Sequence, residues 1–168
     1  ASQYGRPMRR VKLRTFVESW DSHDGGDMQE YVFEGSNLFH GLKLAADVRV
    51  PDIFKMKEQQ TYLRQFSIGS HGSGAQFHFH GDAWNALVFG TKQWVFQSNP
   101  KGYFTVEVSA KSAMRRLHSK QDPVWALETG SRLAVAIQYA GDIVFVPEMF
   151  SHMTLNLGES LATAFEGY

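Results

Sequence analysis

The chain has 168 residues, 43% of them hydrophobic and 14% aromatic, enough apolar material for one packed core and too much for a disordered tail. Lys plus Arg and Asp plus Glu each number 17, so the formal net charge is zero and the basic footprint of a nucleic-acid binder is missing. There is no cysteine, which excludes disulfides and thiolate sites and leaves His, Asp and Glu as candidate metal ligands.

No stretch approaches the roughly 18 apolar residues of a membrane span, and no secretory hydrophobic region is legible. A basic cluster opens the chain (Arg6, Arg9, Arg10, Lys12, Arg14) and reads as a solvated face. Val11 to Phe16 reads as a short strand, or as a strand running into a helix toward Trp20. Asp21 to Asp27, with its Gly-Gly pair, reads as a loop. Tyr31 to Phe33 is a predicted strand, Asn37 to Ala46 a loop or short helix, and Pro51 starts a turn before Phe54.

From Thr61 the pattern changes to short apolar runs separated by turn residues. Strands are predicted at Tyr62 to Ile68, Gln76 to His80, Ala83 to Phe89, Gln93 to Gln97, Leu133 to Gln138, Ile143 to Val146, His152 to Leu157 and Ala162 to Phe165. Lys111 to His118 carries strong helix formers on every turn and is the one good helix of this half. About eight short strands with a single helix among them predict an all-β jelly-roll barrel with minor α content. A parallel α/β sheet would need a helix between each pair of strands. The expected organisation is one compact domain, with residues 1–60 packing on a barrel core of residues 61–168.

The chemistry concentrates in two runs. In Phe77-His78-Phe79-His80, a strand would turn both histidines to one face and both phenylalanines to the other. Two imidazoles about 7 Å apart along a strand can chelate one divalent ion if their rings converge. The same pair also suits ordinary histidines in a half-buried strand. The second run, Gly141 to Leu157, is a turn, a buried strand, a loop containing Pro147 and a strand beginning near His152. In a barrel, that strand can face the first pair across the mouth. His23, His40, His71 and His118 lack such a setting and read as solvated or structural.

His78-Phe-His80, Asn85, Gly90-Thr-Lys92-Gln-Trp94, Gly141-Asp142, Pro147 and His152-Met-Thr-Leu-Asn156-Leu, in this order, resemble the JmjC domain. That family is a double-stranded β-helix of the cupin superfamily, made up of Fe(II)- and 2-oxoglutarate-dependent oxygenases. The resemblance covers about residues 30–168. It implies His78 and His152 as metal ligands, with His80 at the position of the usual acidic ligand. It further implies Lys92 as the partner of the far 2-oxoglutarate carboxylate, with Asn85 and Asn156 lining the co-substrate pocket.

Two departures from the pattern stand out: an imidazole at 80 in place of a carboxylate, and Ala75 where a hydroxyl residue is usual. Asp82 offers a second register, His80-Gly-Asp82, but leaves only 12 positions between His80 and Lys92, shorter than the family spacing. Asp82 is therefore the alternative ligand, or a residue that orients one. The implied activity is hydroxylation of a protein or small-molecule substrate. The alternative is a catalytically inactive JmjC-like module, a structural or binding subunit of a larger complex. A compartment, the endoplasmic reticulum lumen or another organelle, is implied by the resemblance alone.

Overall fold

The computed structural model describes residues 11–20, 30–34, 44–54, 62–98, 109–119 and 132–167. The loop expected at Asp21 to Asp27, Arg6, Arg9 and Arg10 of the basic cluster, and His23 and His40 lie outside the described residues, as does most of the stretch from Asn37.

Among the described residues, eight strands carry the fold: β1 (Tyr31–Glu34), β2 (Tyr62–Gly69), β3 (Ala83–Phe89), β4 (Thr91–Ser98), β5 (Arg132–Tyr139), β6 (Ile143–Val146), β7 (Ser151–Asn156) and β8 (Ser160–Gly167). They form a five-stranded sheet in the order β1-β2-β8-β3-β6 and a three-stranded sheet in the order β5-β4-β7. Every one of these strand pairs is antiparallel, and most sheet neighbours are not consecutive in the chain, the double-sheet pattern of a jelly roll. The fold is therefore the expected all-β barrel with minor helix. Helices α1 (Leu13–Glu18), α2 (Leu44–Asp47) and α3 (Ala110–Ser119) complete it, with a 3-10 turn at Asp52–Phe54.

The alternation of each strand divides its residues between two environments. On β4 and β7, Val95, Met153 and Leu155 face outward and are covered by Ala110, Ala113 and Met114 of α3, with Phe77 in the same cluster. The opposite faces of these strands meet the larger sheet, where Trp94 packs with Ala83 and Val146. Within the larger sheet Trp84 and Phe165 are direct cross-strand partners, and their rings stack at 4.3 Å.

The two sheets are tied by a buried glutamine. Gln138 on β5 accepts a hydrogen bond from Trp94 Nε1 at 2.8 Å, and its Nε2 donates to the carbonyls of Asn85 and Asp142 at 3.0 and 3.1 Å.

Two expectations are corrected. Val11 to Phe16 is not a strand: the segment enters α1, where Phe16 is its buried residue and Ser19 Oγ donates back to the Phe16 carbonyl at 2.7 Å. Gln76 to His80 is not a regular strand either. It runs beside β7 through backbone bonds Asn156 N to Ser73 O, Thr154 N to Ala75 O and a reciprocal pair between His78 and His152. From Ala75 to His78 it advances three residues while β7 advances two, from Thr154 to His152, so one residue is extra and the ladder is interrupted as at a bulge. Gly72 (φ 80°) and Gly74 begin the segment. A Cβ on Gly74 would run into the Thr154 carbonyl, so only glycine lets the segment lie this close.

Candidate metal centre

The bulged segment delivers His78 and His80 to one end of the barrel, and β7 delivers His152 from beside it. The three rings meet with centroids 4.2 Å apart for His78 and His152, 4.7 Å for His80 and His152, and 5.4 Å for His78 and His80. One ring nitrogen from each lies within 4.8 Å of the others, and this is the metal-capable cluster among the described residues.

The carbonyls around the rings decide which nitrogens these are. His78 Nδ1 lies 2.6 Å from the Gln76 carbonyl, His80 Nδ1 2.7 Å from that of Gly81, and His152 Nδ1 2.8 Å from that of Phe150. A carbonyl oxygen only accepts, so each Nδ1 carries the proton and each Nε2 carries the lone pair. Backbone anchoring of the distal nitrogen is the usual support of a metal-binding imidazole, fixing both tautomer and ring orientation.

Burial keeps His78 and His152 neutral. His78 is lowered from 6.5 to about 4, first by burial and then by the neighbouring His80, against the raising effect of its bond to Gln76. His152 is likewise driven well below 6.5 by burial, then by His78 and His80. Uncharged imidazoles with inward lone pairs are the donor state a divalent cation requires. The residues therefore fit a first-row divalent metal. Trp94 and Phe96 flank His152 with ring centroids at 5.8 and 6.2 Å, because Trp94 faces Thr154 and Phe96 faces His152 in the β4–β7 register.

The cavity beneath the histidines is lined by, among others, Lys92, Asn85, Thr154, Gln65, Tyr31 and Glu166. Lys92 is 1% exposed, and its Nζ donates to Tyr31 Oη at 3.0 Å and Ser67 Oγ at 3.1 Å, with the Tyr31 ring centroid 5.3 Å away. Asn85 is buried in the cavity wall, and its Oδ1 has no hydrogen-bond partner among the described residues. Asn156 pairs with Lys92 in the β4–β7 register but is not part of the cavity wall, and its Nδ2 donates to Ser73 Oγ at 2.9 Å.

Asp82 is not drawn into the histidine cluster. Its Oδ1 accepts from the Glu148 backbone at 2.7 Å, tying the loop after Pro147 to the loop after His80. Ala75 does line the cavity, and the hydroxyl it lacks is present next door: Thr154 Oγ1, also on the wall, accepts from the Ala75 N–H at 3.2 Å.

Sequence reading missed Tyr31, Ser67, Gln65, Thr154 and Glu166, which come from β1, β2, β7 and β8. Gln65 and Ser67 alternate with Phe66 and Ile68 and so read as a polar outer face, yet they are buried, as is Glu166. Glu166 is buried at the end of β8. Its carboxyl is raised by burial, with His80 and a hydrogen bond from Gln65 acting in the opposite direction.

No family model matches the chain. Curated relatives do: JmjC domain-containing protein 8 of Mus musculus is 29% identical over 155 residues, covering 89% of this chain and 53% of the relative. The Homo sapiens protein of that name is 30% identical over 131 residues, covering 78% of this chain and 47% of the relative. Arginine-specific demethylase JMJ22 of Arabidopsis thaliana is 26% identical over 169 residues, covering 87% of this chain and 33% of the relative. The chain thus spans about half or less of the length of the relatives it matches.

Among solved structures, the ribosomal oxygenase YcfD of Escherichia coli, in complex with cobalt and succinic acid, overlaps 62% of this chain and 22% of its own at 14% identity and a TM-score of 0.41. A variant oxalate decarboxylase of Bacillus subtilis overlaps 64% of this chain and 22% of its own at 15% identity and a TM-score of 0.41. These overlaps are partial, and the fold rests on the strand pairing described above. By sequence the chain is similar to JmjC domain-containing protein 8, and its strand pairing is that of a jelly roll.

Proposed function

We propose that the chain is an oxygenase domain dependent on Fe(II) and 2-oxoglutarate, with His78, His80 and His152 holding the metal and Lys92 holding the far carboxylate of the co-substrate. The observation that carries this reading is the seat of Lys92. A buried ammonium whose hydrogen-bond partners are two hydroxyls, on the wall of the cavity that holds the histidines, is a site built for an anion. Lys92 lies four residues along β4 from Phe96, the partner of His152, or about 13 Å at the strand rise. A lysine side chain and a five-carbon dicarboxylate together bridge that distance.

When bound, iron and 2-oxoglutarate supply the oxidation of a substrate C–H to an alcohol by dioxygen, with succinate and carbon dioxide as the other products. The chain's own part is placement. The three carbonyl-anchored imidazoles hold the cation, while Lys92, Tyr31 and Ser67 hold the distal carboxylate. The Asn85 side-chain carbonyl offers an acceptor in the cavity wall, and Trp94 and Phe96 screen the His152 side from water. The substrate is a protein or a small molecule. In this reading β1, from within residues 1–60, adds to the edge of a barrel core of residues 61–168.

One observation favours a second reading, a non-catalytic barrel retained as a subunit of a complex: position 80 carries an imidazole where the family pattern has an acid. Calorimetric titration with Fe(II) under anaerobic conditions, then with 2-oxoglutarate, separates the two. The oxygenase reading expects one metal per chain, lost in His78→Ala, and 2-oxoglutarate binding lost in Lys92→Ala. Metal binding without 2-oxoglutarate binding, or neither, rejects it.

A further inference from the structure

Among the described residues, Glu166 is the one carboxylate on the wall of the cavity that holds the histidines. Given the metal-holding role proposed above for the histidines, we propose that Glu166 is the counter-charge of this metal centre, an acid held on β8 beside the His80 loop and outside the cluster of ring nitrogens.

Charge balance gives the first argument. Three neutral imidazoles bring no charge to a divalent cation, and Lys92 adds a further positive charge in the same cavity. Such an excess is costly where water is scarce and before an anionic co-substrate arrives, and a carboxylate on the wall offsets it. Among the described residues lining this cavity, Glu166 is the sole candidate, since Asp82 is committed to the Glu148 backbone.

Placement gives the second. Glu166 pairs with Ala83 across the β3–β8 ladder, so its strand runs directly beside the loop that follows His80. Gly167 N donates to the Asp82 carbonyl at 2.7 Å, and Gly81 lies so close to β8 that a Cβ there would meet the Gly167 carbonyl. The chain is thus built to press the His80 loop against the strand end that carries Glu166.

The third is that little restrains the side chain. Its Oε2 accepts from Gln65 Nε2 at 3.5 Å, the outer limit of a hydrogen bond, although the residue is only 8% exposed. A buried carboxylate held so loosely is ill explained as a structural element. The three imidazoles are the donors that lie within 4.8 Å of one another, so Glu166 acts as the counter-charge beside them.

The test is Co(II) titration of the full chain and of Glu166→Gln, Glu166→Asp and His78→Ala, read by calorimetry and by visible absorption of the bound cobalt. The proposal expects Glu166→Gln to bind Co(II) about 10–100-fold more weakly, with altered absorption bands. It expects Glu166→Asp to recover part of the affinity. Thermal melts matched to wild type confirm that each variant is folded; if Glu166→Gln does not fold, the Glu166→Asp affinity decides, since a shorter side chain draws the counter-charge back and must weaken the hold on the metal. Unchanged affinity and spectrum in Glu166→Gln would overturn the assignment while leaving the three-histidine centre standing. Absence of Co(II) binding by wild type would bring down the metal reading itself, and this assignment with it.

Discussion

Each imidazole of the cluster is held through its Nδ1 by a carbonyl of its own or a nearby turn, so tautomer and ring plane are set before any cation arrives. Burial then imposes a pH dependence. Between pH 6.5 and about 4 the unfolded chain takes up a proton at position 78 that the folded chain refuses, so stability rises with pH across that window and is flat above it. From the lowering at His78 the protein should lose roughly 3 kcal/mol between pH 7 and pH 4, with a further loss from His152 in the same direction. Urea melts in chelator at several pH values measure it, and His78→Gln should flatten the slope. A slope the same in both proteins would show that His78 titrates normally.

Lys92 gives a second prediction at this scale. Lys92→Met keeps the stem and removes the ammonium, so 2-oxoglutarate affinity should fall by at least tenfold, about 1.4 kcal/mol, while metal binding persists. Calorimetry on the Fe(II)-loaded variant checks both halves. Lys92→Arg should not restore affinity, because a forked guanidinium does not fit the seat between Tyr31 Oη and Ser67 Oγ.

At the scale of elements, the decisive piece is the segment from Gly72 to His78, which follows β7 without forming a regular strand. Its extra residue turns Phe77 into the α3-facing cluster while His78 pairs with His152. Gly74 sets how closely this segment approaches β7, so Gly74→Ala should cost about 1–3 kcal/mol by overpacking. Because the displaced segment carries His78 and His80, metal affinity should fall in the same variant. Chemical denaturation and Co(II) titration measure the two effects, and a stability loss with unchanged metal affinity would detach the segment from the site. α3 matters differently: it covers the outer faces of β4 and β7, whose inner faces carry Lys92 and His152.

For the whole molecule, the two sheets must stay in register if residues from both are to share one cavity. Gln138 is one polar link between them, beside the bonds from Lys92 to Tyr31 and Ser67, and it is satisfied by Trp94, Asn85 and Asp142. Gln138→Leu keeps the volume but leaves the Trp94 N–H and two carbonyls without that partner, at a cost of about 2–4 kcal/mol. A change in melting midpoint of less than a degree would show that the link is dispensable. No helix among the described residues is long and apolar enough to cross a membrane.

Much of this was legible in the chain. Short apolar runs bounded by turn residues located the strands at Tyr62, Ala83, Ile143 and His152 to within a residue or so. His78, His80 and His152 stood out by spacing and setting, and they do converge. The irregular path of residues 72–78 was not legible, since an aromatic–histidine alternation reads as a strand until a glycine-rich lead-in and a neighbouring strand impose a bulge. Nor were Tyr31, Ser67 and Glu166, each an ordinary polar residue on an ordinary strand. Local pattern determines which residues face inward, because side-chain direction follows from the backbone period. Which inward residues share a cavity depends on strand order, and only the tertiary structure decides that: antiparallel pairing across 101 residues sets Gln65 beside Glu166, and folding one sheet over the other brings Glu166 to the histidines.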